Sequence, residues 1–257
     1  MNDLLRECQQ AARRLRRAPG FTLVTLLTLG LGIGTCTAIY TVVYSLLLQP
    51  LPYPEPDLIV HLWQVNARGT QHAFSDPNYE DVREGSRSFA ALAQYAQWTV
   101  SVVGGSTPVR VKLASVSGSF PDVFGTRPVI GRTFLADERR IGGPPAVLVS
   151  YGYWQQMLGG TRDLGARPLN FEQRSYTIVG VMPPGFDFPA GADLWTPREL
   201  EERYASRTAH NWRVVGRLAP TVSLTQARDD VHAIARRLKA QYGDDTWMVD
   251  GAVVSPA

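Results

Sequence analysis

The sequence predicts an α+β outer domain that follows a single N-terminal transmembrane helix. Two observations predict this class. First, the 28 consecutive residues 21–48 contain no acidic or basic side chain. Second, residues 58–257 mix strand-like and helix-like segments without the regular alternation that a doubly wound parallel sheet requires.

The uncharged run is long enough to cross a membrane as one helix. At a rise of ~1.5 Å per residue it would extend for about 42 Å, whereas the hydrocarbon core of a bilayer is only ~30 Å thick. A cleaved secretory signal is the alternative, but the apolar stretch of a signal spans only about 7–15 residues. We therefore predict that residues 21–48 form an uncleaved transmembrane helix.

The charges before this helix predict its orientation. Residues 1–20 contain five arginines and two acidic residues. Basic residues favour the cytoplasmic side, so residues 1–20 are predicted to be cytoplasmic and residues 49–257 to lie beyond the membrane. The pattern of residues 4–18 also fits an amphipathic helix on the lipid surface, with a disordered basic tail as the alternative. The orientation signal consists of Arg13, Arg14, Arg16 and Arg17.

Small residues recur on one face of the predicted transmembrane helix. Gly30, Gly34 and Ala38 are spaced four apart, and small residues at this spacing let the backbone of another helix approach closely. We predict a helix-packing face here, although glycines also occur in such helices by chance. Nearby threonines can bond back to the preceding turn and therefore need no partner.

A proline-rich connector, residues 49–57, follows the helix, with prolines at 50, 52, 54 and 56. Each proline fixes its own φ and pushes the preceding residue to extended geometry. This pattern predicts a stiff, polyproline-like strut that could transmit movement of the helix to the outer domain. A plain spacer would have the same pattern.

The outer domain shows strand and helix patterns in irregular order. Runs rich in Val, Ile, Tyr and Trp predict strands at residues 58–64, 99–103, 109–116, 147–150, 176–182 and 213–218. Helices are predicted at residues 77–84, with Asp76 as N-cap, and at 89–95, 118–124 and 151–157. The strongest helix pattern covers residues 224–242, between a capping box of Ser223 and Gln226 and a stop at Gly243.

Composition argues against several classes of function. Residues 49–257 contain 21 basic and 21 acidic side chains, so no nucleic-acid-binding surface is predicted. They contain no cysteine, and none of the four histidines has a second histidine or cysteine at ligand spacing, so no metal site is predicted. Because no nucleophile motif, paired acids or phosphate-binding loop occurs, we predict no catalytic residue, no cofactor and no enzymatic activity. The histidines are His61, His72, His210 and His232, and the single acidic residues include Asp187, Asp193 and Glu199.

A series of local motifs runs through nearly the whole chain in a fixed order. Three are RRAPGFT (16–22), LGLGIG (29–34) and LLQPLPY (47–53), and four more are PVIGRTF (128–134), VLVSYGYW (147–154), YTIVGVMPPGF (176–186) and VVGRLAP (214–220). Together they resemble MacB-like ABC transporter permeases, in particular the duplicated orphan permeases of acidobacteria. Cys36 and Tyr40 depart from the family, which usually has Asn and Phe there, so a polar bond between helices could be lost.

The resemblance implies a two-lobed periplasmic core domain. A porter-like α+β lobe would come from both ends of residues 58–257, and a second lobe would be inserted at roughly residues 115–205. The resemblance also implies that the chain lies in the bacterial inner membrane. It implies two partners, a separate ABC ATPase subunit and a second copy or second permease half that completes a dimer. A periplasmic adaptor or substrate protein completes the partners that the resemblance implies, and the basic tail itself predicts contact with anionic membrane lipid.

The resemblance implies a mechanism as well. In such permeases ATP-driven helix movement works the periplasmic domains, in export or mechanotransmission, and no substrate passes through a membrane pore. Three further membrane helices follow the core in the family, so a sequence ending at residue 257 predicts a permease truncated before them. The alternative is a membrane-anchored periplasmic interaction module without transport activity, and an enzymatic periplasmic domain ranks third.

Overall fold

The computed structural model describes residues 18–43, 53–103, 108–246 and 248–254. It divides into two compact units, Met1–Leu51 and Pro52–Ala257. The first contains one apolar helix, and the second is a mixed domain dominated by a β-sheet. The α+β class with one N-terminal apolar helix is thus confirmed.

Helix α1 (Pro19–Val43) is long and apolar enough to cross a membrane over Pro19–Thr41. Its 25 residues extend for about 37 Å at ~1.5 Å per residue. The hydroxyls of Thr22, Thr28 and Thr41 donate to the carbonyl oxygens four residues earlier, at 2.8–3.0 Å. These bonds confirm the predicted bonding of threonines to the preceding turn.

The helix begins two residues before the predicted start at residue 21, because proline is well tolerated in a first helical turn. Residues 44–48 of the predicted span lie outside the described residues. The same holds for the predicted amphipathic segment up to residue 17 and for the orientation signal of Arg13, Arg14, Arg16 and Arg17.

Four helices and eleven strands are described in the outer domain. The helices are α2 (Asp76–Gly85), α3 (Phe120–Phe124), α4 (Tyr151–Leu158) and α5 (Leu224–Tyr242). The first strands are β1 (Ile59–Val65), β2 (Gln71–His72), β3 (Phe89–Val102), β4 (Val109–Val116), β5 (Ile130–Gly131) and β6 (Ala146–Val149). The others are β7 (Leu169–Phe171), β8 (Arg174–Val181), β9 (Leu194–Pro197), β10 (Arg213–Leu218) and β11 (Asp250–Val254).

The described strands form one sheet in the order β11-β1-β10-β3-β4-β9-β6-β8-β5, with β2 paired to β1 and β7 to β8. One end of the sheet, β11-β1-β10-β3, comes from the two ends of the domain sequence. The other end, β5 to β9, comes from the middle of the sequence. The division into a porter-like lobe and a second lobe inserted at roughly residues 115–205 stays a prediction.

Strand β3 joins the two ends of the sheet. Its first half pairs with β10, from Phe89 to Tyr95, and its second half pairs with β4, from Tyr95 to Val102. Its 14 residues are long for a strand. Strand β3 is therefore one continuous segment that belongs to both parts of the sheet.

Both faces of the sheet are covered. On one face, α5 packs against β1, β10 and β11 through Val231, Ile234 and Leu238, all at most 4% exposed. The opposite face has an aromatic core in which Phe124 and Trp195 are fully buried. Each fully buried side chain of this size stabilises the fold by roughly 1.5–3 kcal/mol relative to an exposed one.

Several predicted elements are confirmed with the same bounds, namely β4, β10 and α5. The capping box of α5 is confirmed as well, because Ser223 Oγ accepts from the Gln226 backbone N–H at 3.2 Å and Gln226 Oε1 accepts from the Ser223 N–H at 2.8 Å. Gly243 follows the helix at φ 64°, as expected for its stop.

Two predictions about individual helices are wrong. Residues 89–95 were predicted as a helix and form the first half of β3, because pairing with β10 outweighs their helical propensity. Asp76 was predicted as the N-cap of α2, but Ser75 is the cap and accepts from the Asn78 N–H at 3.4 Å. Asp76 instead occupies the first helical turn and turns its carboxylate to Arg198.

The connector is not an extended polyproline strut where it is described. Glu55 has left-handed geometry with φ 49°, and Pro56–Leu58 form a 3-10 helix. Tertiary contacts explain the bend, since Arg217 Nη2 donates to the Pro54 carbonyl at 2.9 Å and the Tyr53 ring packs edge-on against Phe124. Residues 49–52 lie outside the described part.

Candidate functional site

The predicted packing face of α1 is open in the structure. Gly30, Gly34 and Ala38 are exposed and lie one helical turn apart. A Cβ atom built on Gly30 or Gly34 would meet nothing within 4 Å among the described residues. The face could therefore admit another helix at close range. Its role as a helix contact stays a prediction.

Asp76 and Arg198 form an ion pair in the interior of the outer domain. Their side chains are 4% and 3% exposed, and Arg198 Nη2 lies 2.9 Å and 2.8 Å from the two carboxylate oxygens. Two further donors bind the carboxylate, Gln94 Nε2 at 3.2 Å and the Tyr204 backbone N–H at 2.9 Å. Buried charges require such partners because desolvation is costly.

The guanidinium group of Arg198 also holds the chain that follows β9. Its Nη1 donates to the Glu201 carbonyl at 3.0 Å, and its Nη2 lies 3.3 Å from the Glu202 carbonyl. The guanidinium carbon lies 4.2 Å from the centre of the Trp212 ring, which is a cation–π distance. One side chain thus joins α2, the segment after β9 and the residue before β10.

A second polar group of contacts centres on Asn78 of α2. Its Nδ2 donates to Gln64 Oε1 at 3.0 Å and to the Thr246 carbonyl at 2.7 Å. Its Oδ1 accepts from Arg207 Nη1 at 2.7 Å, and the same nitrogen lies 2.6 Å from Asp81 Oδ2. These bonds connect β1, α2, the loop before β10 and the segment after α5.

Asp230 connects α5 to the turn between α2 and β3. Its Oδ2 accepts from the hydroxyls of Ser86 and Ser88 and from the backbone N–H groups of Arg87 and Ser88, at 2.5–3.2 Å. Burial raises the pKa of Asp230, but these four bonds stabilise the charged form more strongly, so that its pKa lies below the usual value.

These polar side chains bind one another and join segments that are distant in the chain. The contacts are of the kind that fix the shape of a domain, and they pair no serine hydroxyl with a histidine. Among the described residues, no group of three His, Cys, Asp or Glu side chains could hold a metal ion.

The single acidic residues have structural roles that sequence reasoning missed. Asp193 Oδ2 accepts from the Lys112 backbone N–H at 2.9 Å, and Glu199 Oε1 accepts from the Gly118 N–H at 2.7 Å. The sequence presents them only as single acidic residues. No local pattern could have identified them, because each binds a backbone group about 81 positions away in the chain.

Two of the four histidines lie together, and the other two lie apart from them. His61 stacks on Phe188 with ring centres 5.8 Å apart, and burial, with the nearby charge of Arg213, lowers its pKa. His232 contacts the carboxylate of Asp250 at the surface between α5 and β11. His72 and His210 stack on each other at 5.1 Å.

The family model of the MacB-like periplasmic core domain matches residues 22–234. The match begins within α1 and ends within α5, so it includes the apolar helix and most of the outer domain. A search of curated proteins found no significant match.

Three solved structures share the fold. The periplasmic region of MacB from Actinobacillus actinomycetemcomitans superposes with a TM-score of 0.57 at 12% identity, covering 77% of this chain and 88% of that one. The extracellular domain of the noncanonic ABC-type transporter YknZ from Gram-positive bacteria gives 0.57 at 15% identity, covering 76% and 99%. A domain of a protein described as a permease, from Porphyromonas gingivalis, gives 0.58 at 17% identity, covering 81% and 93%.

At these identities the structural matches show the fold alone, and the family match covers most of the sequence. An apolar N-terminal helix followed by this domain indicates a membrane-anchored protein with a transporter-related role. The chain belongs to the family of MacB-like periplasmic core domains.

Proposed function

We propose that this chain is a permease component of an ABC transporter whose periplasmic domain relays movement driven by a separate ATPase subunit. In this proposal α1 lies in the bacterial inner membrane, the N-terminus is cytoplasmic and the outer domain is periplasmic. The observation that carries the proposal is the extent of the family match, which runs from residue 22 in the apolar helix to residue 234. Helix and outer domain thus match as parts of one family unit.

The attachment of the connector to the outer domain supports a mechanical role. Tyr53 packs against Phe124 with ring centres 5.1 Å apart, and Arg217 Nη2 donates to the Pro54 carbonyl. Arg217 also lies 3.6 Å from the carboxylate of Glu55. Because residues 53–55 are fixed to the domain, a force applied to them would act on β10 directly.

The proposal includes two lobes divided near residues 115 and 205. The strands of the middle segment form one end of the sheet, and β3 connects them to the other end. The buried Asp76–Arg198 pair then joins one residue from each lobe. In this proposal the pair keeps the lobes together while the domain moves as a body.

Orientation can be tested with the two natural cysteines, Cys8 and Cys36. In a chain lacking both, Ala166→Cys places a thiol on an exposed turn between α4 and β7. A membrane-impermeant maleimide should label this thiol in cells whose outer membrane has been made permeable. A Cys36→Ala chain, which retains Cys8, should be labelled only after lysis, and the reverse pattern would overturn the orientation.

The function is tested by recovering the partners of the full chain from its own host. An N-terminally tagged chain is crosslinked in cells, purified in detergent and subjected to mass spectrometry. We expect an ABC ATPase subunit and a second permease copy or half among the crosslinked proteins. Recovery of a periplasmic protein without any ATPase would reject ATP coupling and favour an anchored interaction module.

A further inference from the structure

A cavity of about 430 Å³ lies between the β7–β8 hairpin and the segment that follows β9. Its volume falls in the range of small-molecule sites. Two aromatic side chains, two carboxylates, one guanidinium and an apolar side chain contribute to its lining. They are Trp98, Tyr176, Glu172, Glu201, Arg174 and Leu200.

The aromatic side chains of this cavity are fixed by their neighbours. The Tyr176 ring stacks parallel to Phe171, with centres 4.1 Å apart and planes 2° apart. Trp98 Nε1 donates to Glu172 Oε1 at 2.7 Å. A tryptophan whose N–H is already bonded offers its ring as the remaining binding surface, and the electron-rich faces of such rings attract cations.

The two carboxylates lie near each other in the same cavity. Burial raises the pKa of Glu201, and the negative charge of Glu172 contributes to the rise. Arg198 and Arg174 act in the opposite direction. Arg174 belongs to the lining of the cavity, whereas Arg198 lies outside the lining and binds Asp76. A bound cation would relieve the repulsion that remains between the carboxylates.

The turn that presents Glu172 has an unusual backbone. Glu172 and Gln173 both have positive φ, 50° and 63°, in the two-residue link between β7 and β8. Such a turn normally uses Asn-Gly or another glycine pair, because other residues are strained there. Strained residues of this kind are often found at ligand sites, where the surrounding structure holds them.

We propose that this cavity binds a small organic cation, a tertiary or quaternary ammonium compound, between the aromatic rings of Trp98 and Tyr176 and the carboxylates of Glu172 and Glu201. Aromatic faces and carboxylates are the two groups that recognise such cations. The inference depends only on the outer domain, so it is independent of the proposed ATP-driven role.

The test is isothermal titration calorimetry of the full chain in dodecyl maltoside, with choline as the ligand. The control ligand is 3,3-dimethylbutan-1-ol, which has the shape of choline without its charge. We expect saturable binding of choline and much weaker binding of the alcohol. Glu172→Gln and Glu201→Gln should each weaken choline binding about fivefold, as expected for loss of one partly screened charge pair.

Two further variants sharpen the test. Arg174→Gln removes the opposing charge and should tighten choline binding about twofold to fivefold. Asp163→Asn removes an exposed carboxylate outside the cavity and should leave binding unchanged. The inference is overturned if choline does not saturate, if the alcohol binds equally well, or if the two glutamate variants behave like Asp163→Asn. Near-isosteric Glu→Gln changes keep the fold, which far-UV circular dichroism verifies.

Discussion

Removal of Arg198 should strongly destabilise the outer domain. In Arg198→Met, the Asp76 carboxylate stays 4% exposed but loses contacts of 2.9 Å and 2.8 Å, and keeps only Gln94 and the Tyr204 N–H. Breaking a buried pair from one side costs about 3–5 kcal/mol, because the remaining charge is left uncompensated. For a domain of this size the midpoint of thermal unfolding should fall by roughly 6–20 °C.

Tryptophan fluorescence is a suitable assay for this prediction. All six tryptophans lie after residue 52, so urea unfolding of the full chain in detergent reports on the outer domain alone. Trp212, which lies 4.2 Å from the Arg198 guanidinium, should respond to the loss of the pair. The free energies of unfolding then follow by linear extrapolation.

Two comparisons test whether the loss of stability in Arg198→Met arises from the buried charge of Asp76 that is left without its partner. The double variant Asp76→Asn with Arg198→Met removes both charges, and we expect it to be more stable than Arg198→Met alone by about 2 kcal/mol. Arg203→Met breaks an ion pair with Glu80 at 3.0 Å in which Arg203 is 60% exposed, and it should cost at most about 1 kcal/mol. The reasoning is refuted if Arg198→Met lowers the free energy of unfolding no more than Arg203→Met does, or if the double variant is no more stable than Arg198→Met alone.

Three other predictions concern separate parts of the chain. Gly34→Leu should reduce self-association of α1 in a membrane two-hybrid assay, and an unchanged signal would reject the packing face. Asp230 has a lowered pKa, so its contribution to stability is present above its unfolded value and is lost as the pH falls through the folded pKa. Asp230→Asn should therefore show a shallower loss of thermal stability than the wild type between about pH 5 and pH 2, and parallel curves would contradict this. Gly131 has φ 78°, and in Gly131→Ala the new Cβ would lie 2.2 Å from the Val179 carbonyl oxygen, so the free energy of unfolding should fall by about 3 kcal/mol in the same urea titration. Gly142 has a similar φ of 70° but no described atom within 4 Å of its Cβ position, so Gly142→Ala should lower the free energy of unfolding by about 1 kcal/mol. Equal losses in the two variants would contradict this, because the backbone would then have moved to relieve the contact with the Val179 carbonyl oxygen.

Elements whose signals are local were predictable from the sequence. Helix α5 has its apolar stripe, its capping box at Ser223 and its stop at Gly243 within one short segment. The bounds of β4 and β10 follow from compact runs of β-branched residues between turn residues. In such segments propensity and tertiary structure favour the same conformation, so no distant contact had to be known.

The start of β3 could not be predicted in this way. Both faces of this segment are covered, so that Leu92 and Ala93, which point to opposite faces, are both buried. The alternation of apolar and polar residues that identifies a half-exposed strand is therefore missing. Small residues such as Ala93 suit a closely packed strand as well as a helix, and only the pairing with β10 decides between them.

The packing face on α1 could be proposed from the sequence because its residues lie four apart. The polar contacts of the outer domain could not be predicted from the sequence. Asp76 and Arg198 are 122 positions apart, and Trp98 is 74 positions from Glu172. Single charged residues in the sequence give no sign of their partners. Only the folded sheet brings them together.

The position of β1 between β10 and β11 has a consequence for biosynthesis. Ile59 pairs with Arg217, which is added to the nascent chain 158 positions later. At about 5–20 residues per second the ribosome needs roughly 8–30 s to supply that partner. During this interval the newly made β1 has neither long neighbour and must be kept from pairing with other chains. The middle segment, whose strands pair among themselves, can fold first, so that β1 pairs with β10 and β11 last.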